Sequence, residues 1–182
     1  MDLKTIVHTA KILMVDDEEN NLIVAERFLR QAGYTDIHAT ADSNMTIPLY
    51  ERLSPDIVFL DLKMPEPDGF TLLERLADLR PQDGEYVPVL VLTADISPGT
   101  KLKALAMGAN DFLTKPFERG DLLLRTRNLL EARFLYREMR SKSVALEEAY
   151  DRAARAEKAC ELMGVQVPDA AEYLELQNSG RS

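Results

Sequence analysis

Along this chain, short apolar runs rich in β-branched residues alternate with longer segments whose apolar residues recur every three or four positions. The runs cover residues 12–15, 37–39, 57–60, 87–92 and 111–114. They lack polar alternation, which predicts strands buried on both faces, as in a parallel sheet covered by helices. Between them, Leu22, Ala25, Leu29 and Ala32 form the apolar stripe of a helix over 21–32 that stops at Gly33, a residue suited to a helix C-terminus. Leu72, Leu73, Leu76 and Leu79 mark a second helix over 70–79 that ends before Pro81, and 100–107 reads as a short helix closed by Gly108. The stretch 42–53 contains Pro48, which fits a first helical turn with Thr46 as the N-cap. The repeated β-α order specifies an α/β, doubly wound fold: a five-stranded parallel sheet with right-handed crossovers and helices on both faces.

In such folds, ligands bind outside the carboxyl ends of the strands, where strand order reverses. Asp16 and Asp17 follow the first run, the third ends at Asp61, the fourth at Thr93 and the fifth at Lys115-Pro116. Grouped carboxylates repel one another, and a divalent cation favours their charged forms. Oxygen donors without sulfur or a paired imidazole suit Mg²⁺ or Mn²⁺ rather than zinc. A carboxylate is also a nucleophile, and an aspartyl-phosphate is the covalent chemistry this set supports. The metal and the lysine stabilise phosphoryl oxygens, and the hydroxyl hydrogen-bonds to one of them. Taken singly, each residue has a plainer reading. Asp16 to Glu19 suit a helix start, Asp61 a turn, and Lys115 a surface charge. Their joint occurrence at four strand ends of one sheet argues for a site.

Composition narrows the partners. The 182 residues include 31 Asp plus Glu against 22 Lys plus Arg, a net charge of −9, which argues against direct nucleic acid binding through a broad basic surface. Cys160 is the sole cysteine; it cannot form an internal disulfide and stands in no zinc-ligand spacing, so a reducing, cytoplasmic setting is expected. The first ten residues have no apolar core of signal-peptide type, and no apolar run is long enough for a membrane span.

Four separated motifs then carry a family resemblance. Val15-Asp16-Asp17-Glu18, Phe59-Leu60-Asp61-Leu62-Lys63-Met64-Pro65 with Asp68-Gly69, Leu92-Thr93-Ala94, and Phe112-Leu113-Thr114-Lys115-Pro116-Phe117 resemble the CheY-like receiver domains of two-component response regulators. The resemblance covers about residues 10–130 and implies the flavodoxin-like strand order 2-1-3-4-5. It implies that Asp61 is the phosphoacceptor for a sensor histidine kinase or a phosphotransfer protein. It also implies that Asp17, Asp61 and the Lys63 backbone carbonyl bind Mg²⁺ directly, and that Asp16 holds the metal more loosely. Lys115 would contact the phosphoryl oxygens, with the Lys115-Pro116 bond cis. Thr93 would swing toward the phosphoryl group, and Phe112, alternatively an ordinary core residue, would be the switch aromatic that follows it. This is a shift between two packings. Lys63 and Asp95, each two residues beyond a site residue, are expected to approach each other and slow dephosphorylation.

From Gly120 to Met163 the chain contains no Pro and no further Gly, which predicts a helix of roughly 60 Å. Leu122, Leu129, Tyr136, Ser143 and Tyr150 recur every seven residues, with Ala132, Met139, Leu146 and Ala153 between them, the pattern of a coiled coil. The domain reading is therefore a receiver over 10–130, a helical extension or coiled coil over 131–163 and a short tail over 164–182 with a small helix at 169–176. A homodimer is expected, with a seam of Leu122, Leu129, Tyr136, Met139, Leu146 and Tyr150. The alternatives for this segment are a single helix packed on a neighbour and a linker. Residues 125–133 are also similar to regulators in which such a linker feeds a cyclic-dinucleotide enzyme. Two rivals concern the site. A Mg²⁺-dependent phosphohydrolase of the haloacid dehalogenase type would carry Asp where Lys63 stands. A pseudo-receiver would have lost part of the acidic set.

Overall fold

Ile12 and Met14 pack to one side of the sheet while Leu13 and Val15 pack to the other, the two-faced burial expected of a run without polar alternation. The structure is a computed structural model and describes residues 8–79, 86–95 and 97–163. Its elements are β1 (Ile12–Val15), α1 (Glu19–Gln31), β2 (Ile37–Thr40), a 3₁₀ turn (Ser43–Met45), α2 (Thr46–Leu53), β3 (Ile57–Asp61), α3 (Gly69–Asp78), β4 (Val89–Thr93), α4 (Pro98–Ala106), β5 (Asp111–Thr114) and α5 (Arg119–Leu162). The five strands form one parallel sheet in the order β2-β1-β3-β4-β5. The helix expected over 169–176 lies outside the described residues.

The chain divides into two units, Met1–Arg137 and Glu138–Ser182. In the first, Leu22, Ala25 and Leu29 of α1 and Leu122 and Leu130 of α5 cover one face of the sheet. Leu72, Leu73 and Leu76 of α3 and Ala104 of α4 cover the other, with Ile47 and Leu53 of α2 at the margin. Phe59, at the middle of β3, is fully buried; burying such a side chain contributes about 1.5–3 kcal/mol.

Local chemistry explains several helix ends. Ser97 caps α4 by accepting from Thr100 N, and Pro98 occupies the first turn, where a missing N–H costs nothing. Gly33 and Gly108 adopt positive φ after their helices. At α2 the expected cap is corrected. Asp42 caps the preceding 3₁₀ turn through Asn44 N, the N-cap of α2 is Met45, and Thr46 is its first residue. The Thr46 hydroxyl is buried and donates to Ser43 O at 2.7 Å, so it faces the turn and not the helix.

The heptad assignment is corrected in the same way. Leu122 is 0% exposed within the sheet core and Leu129 packs against that core, so neither is available to a dimer seam. Both lie on α5 where its apolar stripe covers the sheet. Tyr136 sits edge-on to Tyr86. Met139, Leu146 and Tyr150 are 72%, 73% and 77% exposed. None of the helices in the described residues is long and apolar enough to cross a membrane.

Candidate functional site

Sheet register brings the predicted residues together. Val15 pairs with Leu60, Asp61 with Leu92, and Thr93 with Thr114, so Asp16, Asp61, Thr93 and Lys115 emerge side by side at one edge. Lys115 N donates to Thr93 O at 2.9 Å, which continues the ladder one residue past β5 and sets the lysine beside the acids. The Lys115-Pro116 peptide is cis, and so is Glu66-Pro67.

Lys115 Nζ lies 2.6 Å from Asp16 Oδ2 and 3.0 Å from Asp61 Oδ2. Both carboxylates are buried, with Asp16 2% and Asp61 4% exposed, whereas Asp17 is exposed. Asp16 Oδ1 accepts from Glu18 N at 3.1 Å and from Asn21 Nδ2 at 3.0 Å. Asp61 Oδ1 accepts from Leu62 N at 2.7 Å. Burial pushes the Asp61 carboxyl upward from its ordinary value, the Lys115 hydrogen bond and charge pull it down, and the Asp16 charge adds to the rise. The net shift is upward because the cost of burying the charge outweighs what the Lys115 ammonium returns.

The donor set fits a hard divalent cation. Asp16, Asp17 and Asp61 each offer a carboxylate oxygen, all within 4.8 Å of one another. Asp16 Oδ2 is buried and has no hydrogen bond, although the Lys115 charge is close. An oxygen so placed favours a cation, and all-oxygen ligation suits Mg²⁺. The Lys63 carbonyl follows Asp61 in the same loop.

That loop is held from below. Asp68 caps α3 by accepting from Thr71 N at 2.8 Å, and this bond holds its carboxyl below the ordinary range. Gly69 N donates to Leu62 O at 3.2 Å. A side chain at Gly69 would collide with the Asp61 backbone.

On the other side, Thr93 is 3% exposed and its hydroxyl accepts from Asp95 N at 3.1 Å. The Asp95 carboxylate accepts from Ser97 N at 2.8 Å and from the Thr100 hydroxyl at 2.9 Å. These bonds hold its pKa down, and the Lys63 charge is the weakest of the influences. Lys63 and Asp95 thus meet as distant charges, with no salt bridge between them. A cavity of about 100 Å³ is lined by Thr93, Thr100, Lys101, Ala104 and Phe112, and Phe112 is half-buried beside it. Sequence reasoning missed Asn21, Thr100 and Lys101. An Asn five residues after the first Asp is a weak signal, and nothing in residue order points to the other two.

A family model described as the response regulator receiver domain matches residues 12–127. The response regulator PleD of Caulobacter vibrioides is 34% identical over 137 residues, which are 75% of this chain and 30% of that protein. The DNA-binding dual master transcriptional regulator RpaA of Synechocystis is 39% identical over 121 residues, 66% of this chain and 48% of that one. The chain therefore spans under half the length of these curated relatives. A solved two-component response regulator/GGDEF domain protein superposes with a TM-score of 0.64 at 25% identity, covering 71% of this chain and 52% of the other.

Proposed function

This chain belongs to the response regulator receiver domain family, and we propose that it takes a phosphoryl group on Asp61 from a histidine kinase or a phosphotransfer protein and signals through its last helices. The observation that supports this most directly is the single Lys115 ammonium within 3.0 Å of both buried carboxylates, Asp16 and Asp61.

In the proposed reaction a carboxylate oxygen of Asp61 attacks phosphorus. The new P–O bond forms as the P–N bond to the donor histidine breaks, and the departing imidazole nitrogen keeps the electron pair. Asp61 must be ionised to attack, and the Lys115 charge favours that form. As the phosphoryl group arrives, Lys115 moves its hydrogen bond from carboxylate to phosphoryl oxygen, a donor already placed where negative charge develops. Asp16, Asp17, Asp61 and the Lys63 carbonyl would hold Mg²⁺, or Mn²⁺ in its place, which when bound supplies neutralisation of phosphoryl charge. Thr93 gives up the Asp95 amide to bond the phosphoryl group, and Phe112 repacks toward the vacated space. The chain's chemistry on this reading is limited to its own phosphorylation and dephosphorylation. Lys63 and Asp95 tune the latter through their charge at the site mouth.

The exposed residues Met139, Leu146 and Tyr150 of α5 support homodimerisation or partner docking as the output, in the cytoplasm and without direct nucleic acid or membrane binding. A second reading has support from the GGDEF domain named in the similar solved protein: the chain is the receiver and linker of a larger regulator whose output is a cyclic-dinucleotide enzyme. The test of the site is incubation with Mg²⁺ and acetyl phosphate, followed by intact mass. One added phosphoryl group in the natural chain and none in Asp61→Asn is the expected result. Multiple turnover of varied phosphate esters would mean a phosphohydrolase instead.

A further inference from the structure

Two cations face the Phe112 ring. Lys101 Nζ lies 3.8 Å from the ring centroid and Arg125 Cζ lies 6.0 Å from it. A cation over an aromatic face is attracted by the ring's quadrupole, and the attraction is lost when the ring turns away. Arg125 is engaged by an ion pair with Asp111 and stands at the outer limit of that attraction, so Lys101 supplies most of it. The ring borders the cavity of about 100 Å³ that Thr93 and Lys101 also line, so it has space to turn toward Thr93, and turning takes its face off the ammonium. Lys101 follows Thr100, whose hydroxyl bonds Asp95 at 2.9 Å, and Asp95 N in turn bonds the Thr93 hydroxyl at 3.1 Å. The first turns of α4 therefore touch both members of the switch pair, Thr93 through Asp95 and Phe112 through Lys101.

We propose that Lys101 is a positioning residue that holds Phe112 in the packing seen here, so that the phosphorylated packing forms only when the ammonium lets the ring go. The proposal rests on the reading of Thr93 and Phe112 as the switch. An attraction of this kind at an exposed site corresponds to about a two- to fivefold bias between packings. Coupling is reciprocal, so loss of the lysine favours the packing that phosphorylation favours; an acceptor that reacts from that minor packing then forms the adduct faster in proportion to its raised population.

The test uses the full chain with Lys101→Met, which keeps length and removes charge, Lys101→Arg, which keeps charge, Phe112→Leu, and the Met and Leu changes together. In the unphosphorylated proteins, the Phe112 ring resonances, assigned by their loss in Phe112→Leu, shift in Lys101→Met and return toward their original positions in Lys101→Arg. With acetyl phosphate and Mg²⁺, Lys101→Met forms the phosphoryl adduct about two- to fivefold faster, and the same change adds nothing in the Phe112→Leu background. Unchanged ring resonances in Lys101→Met overturn the proposal. So does an equal acceleration with and without Phe112, because the lysine charge would then act on the phosphodonor and not on the ring. If no protein forms an adduct, the phosphoacceptor reading fails, and the ring resonances still decide whether Lys101 holds Phe112.

Discussion

Gly69 and Asp61 are packed so closely that a β-carbon on the glycine would lie 2.1 Å from the Asp61 carbonyl oxygen and 2.5 Å from Leu62 Cα. Both obstacles are backbone, so an alanine there displaces the end of β3 and with it Asp61, the proposed phosphoacceptor.

Gly69→Ala is therefore expected to cost about 1–3 kcal/mol of stability and to slow phosphoryl adduct formation at least tenfold, read by thermal melting and intact mass. Gly99→Ala is the control. A β-carbon there meets nothing within 4 Å, and the change lies in α4, so it leaves stability unchanged or raises it by up to about 1 kcal/mol. Equal behaviour of the two variants would sink the close-packing argument.

Asp61→Asn is expected to raise the melting temperature of the metal-free protein, and the gain depends on pH. The folded Asp61 carboxyl titrates above its ordinary value of 3.8. A raised folded value means that this group's contribution to stability is complete below the unfolded value and is lost as pH rises through the folded one. Asparagine does not titrate, so the melting-temperature difference between variant and natural chain grows as pH rises from about 4 toward neutrality. Mg²⁺ is expected to shrink the difference by stabilising the natural chain more than the variant, which lacks one of the three carboxylate ligands. A difference that is flat with pH contradicts the assignment.

Lys63→Ala and Asp95→Ala are each expected to shorten the life of the aspartyl-phosphate by a few-fold, measured as decay of the phosphorylated mass after the donor is removed. Asp95→Ala also takes the acceptor from Ser97 N and the Thr100 hydroxyl, so its effect exceeds that of Lys63→Ala. Unaltered decay in both variants would remove them from the dephosphorylation step.

Leu146→Glu is expected to convert a dimer to a monomer in light scattering without lowering the melting temperature, since Leu146 is 73% exposed. Leu122→Ala should do the reverse. It empties a fully buried core position, costs about 2–5 kcal/mol, and leaves association intact in whatever fraction stays folded. A natural chain that is monomeric with and without phosphorylation would rule out dimerisation as the output.

The strands and the acidic set were legible in residue order because both depend on local pattern. Five runs without polar alternation read as a two-faced parallel sheet, and such a sheet presents its ligands at the carboxyl ends of its strands. Asp16, Asp61, Thr93 and Lys115 followed from that geometry and from the motifs around them. Side-chain partners were not legible. Leu122 and Leu129 fit a heptad as well as Tyr136 and Met139 do, because over a few turns the same apolar stripe serves a coiled-coil seam or the cover of a sheet. Tertiary structure decided between them, and it decided that Thr46 faces a 3₁₀ turn, that Gly69 abuts Asp61, and that Lys101 sits on Phe112. The Thr46 contact turns on the local backbone of the 3₁₀ turn, whereas the other two join the ends of successive strands and helices as the packed sheet places them, and neither kind of contact leaves a period in the sequence.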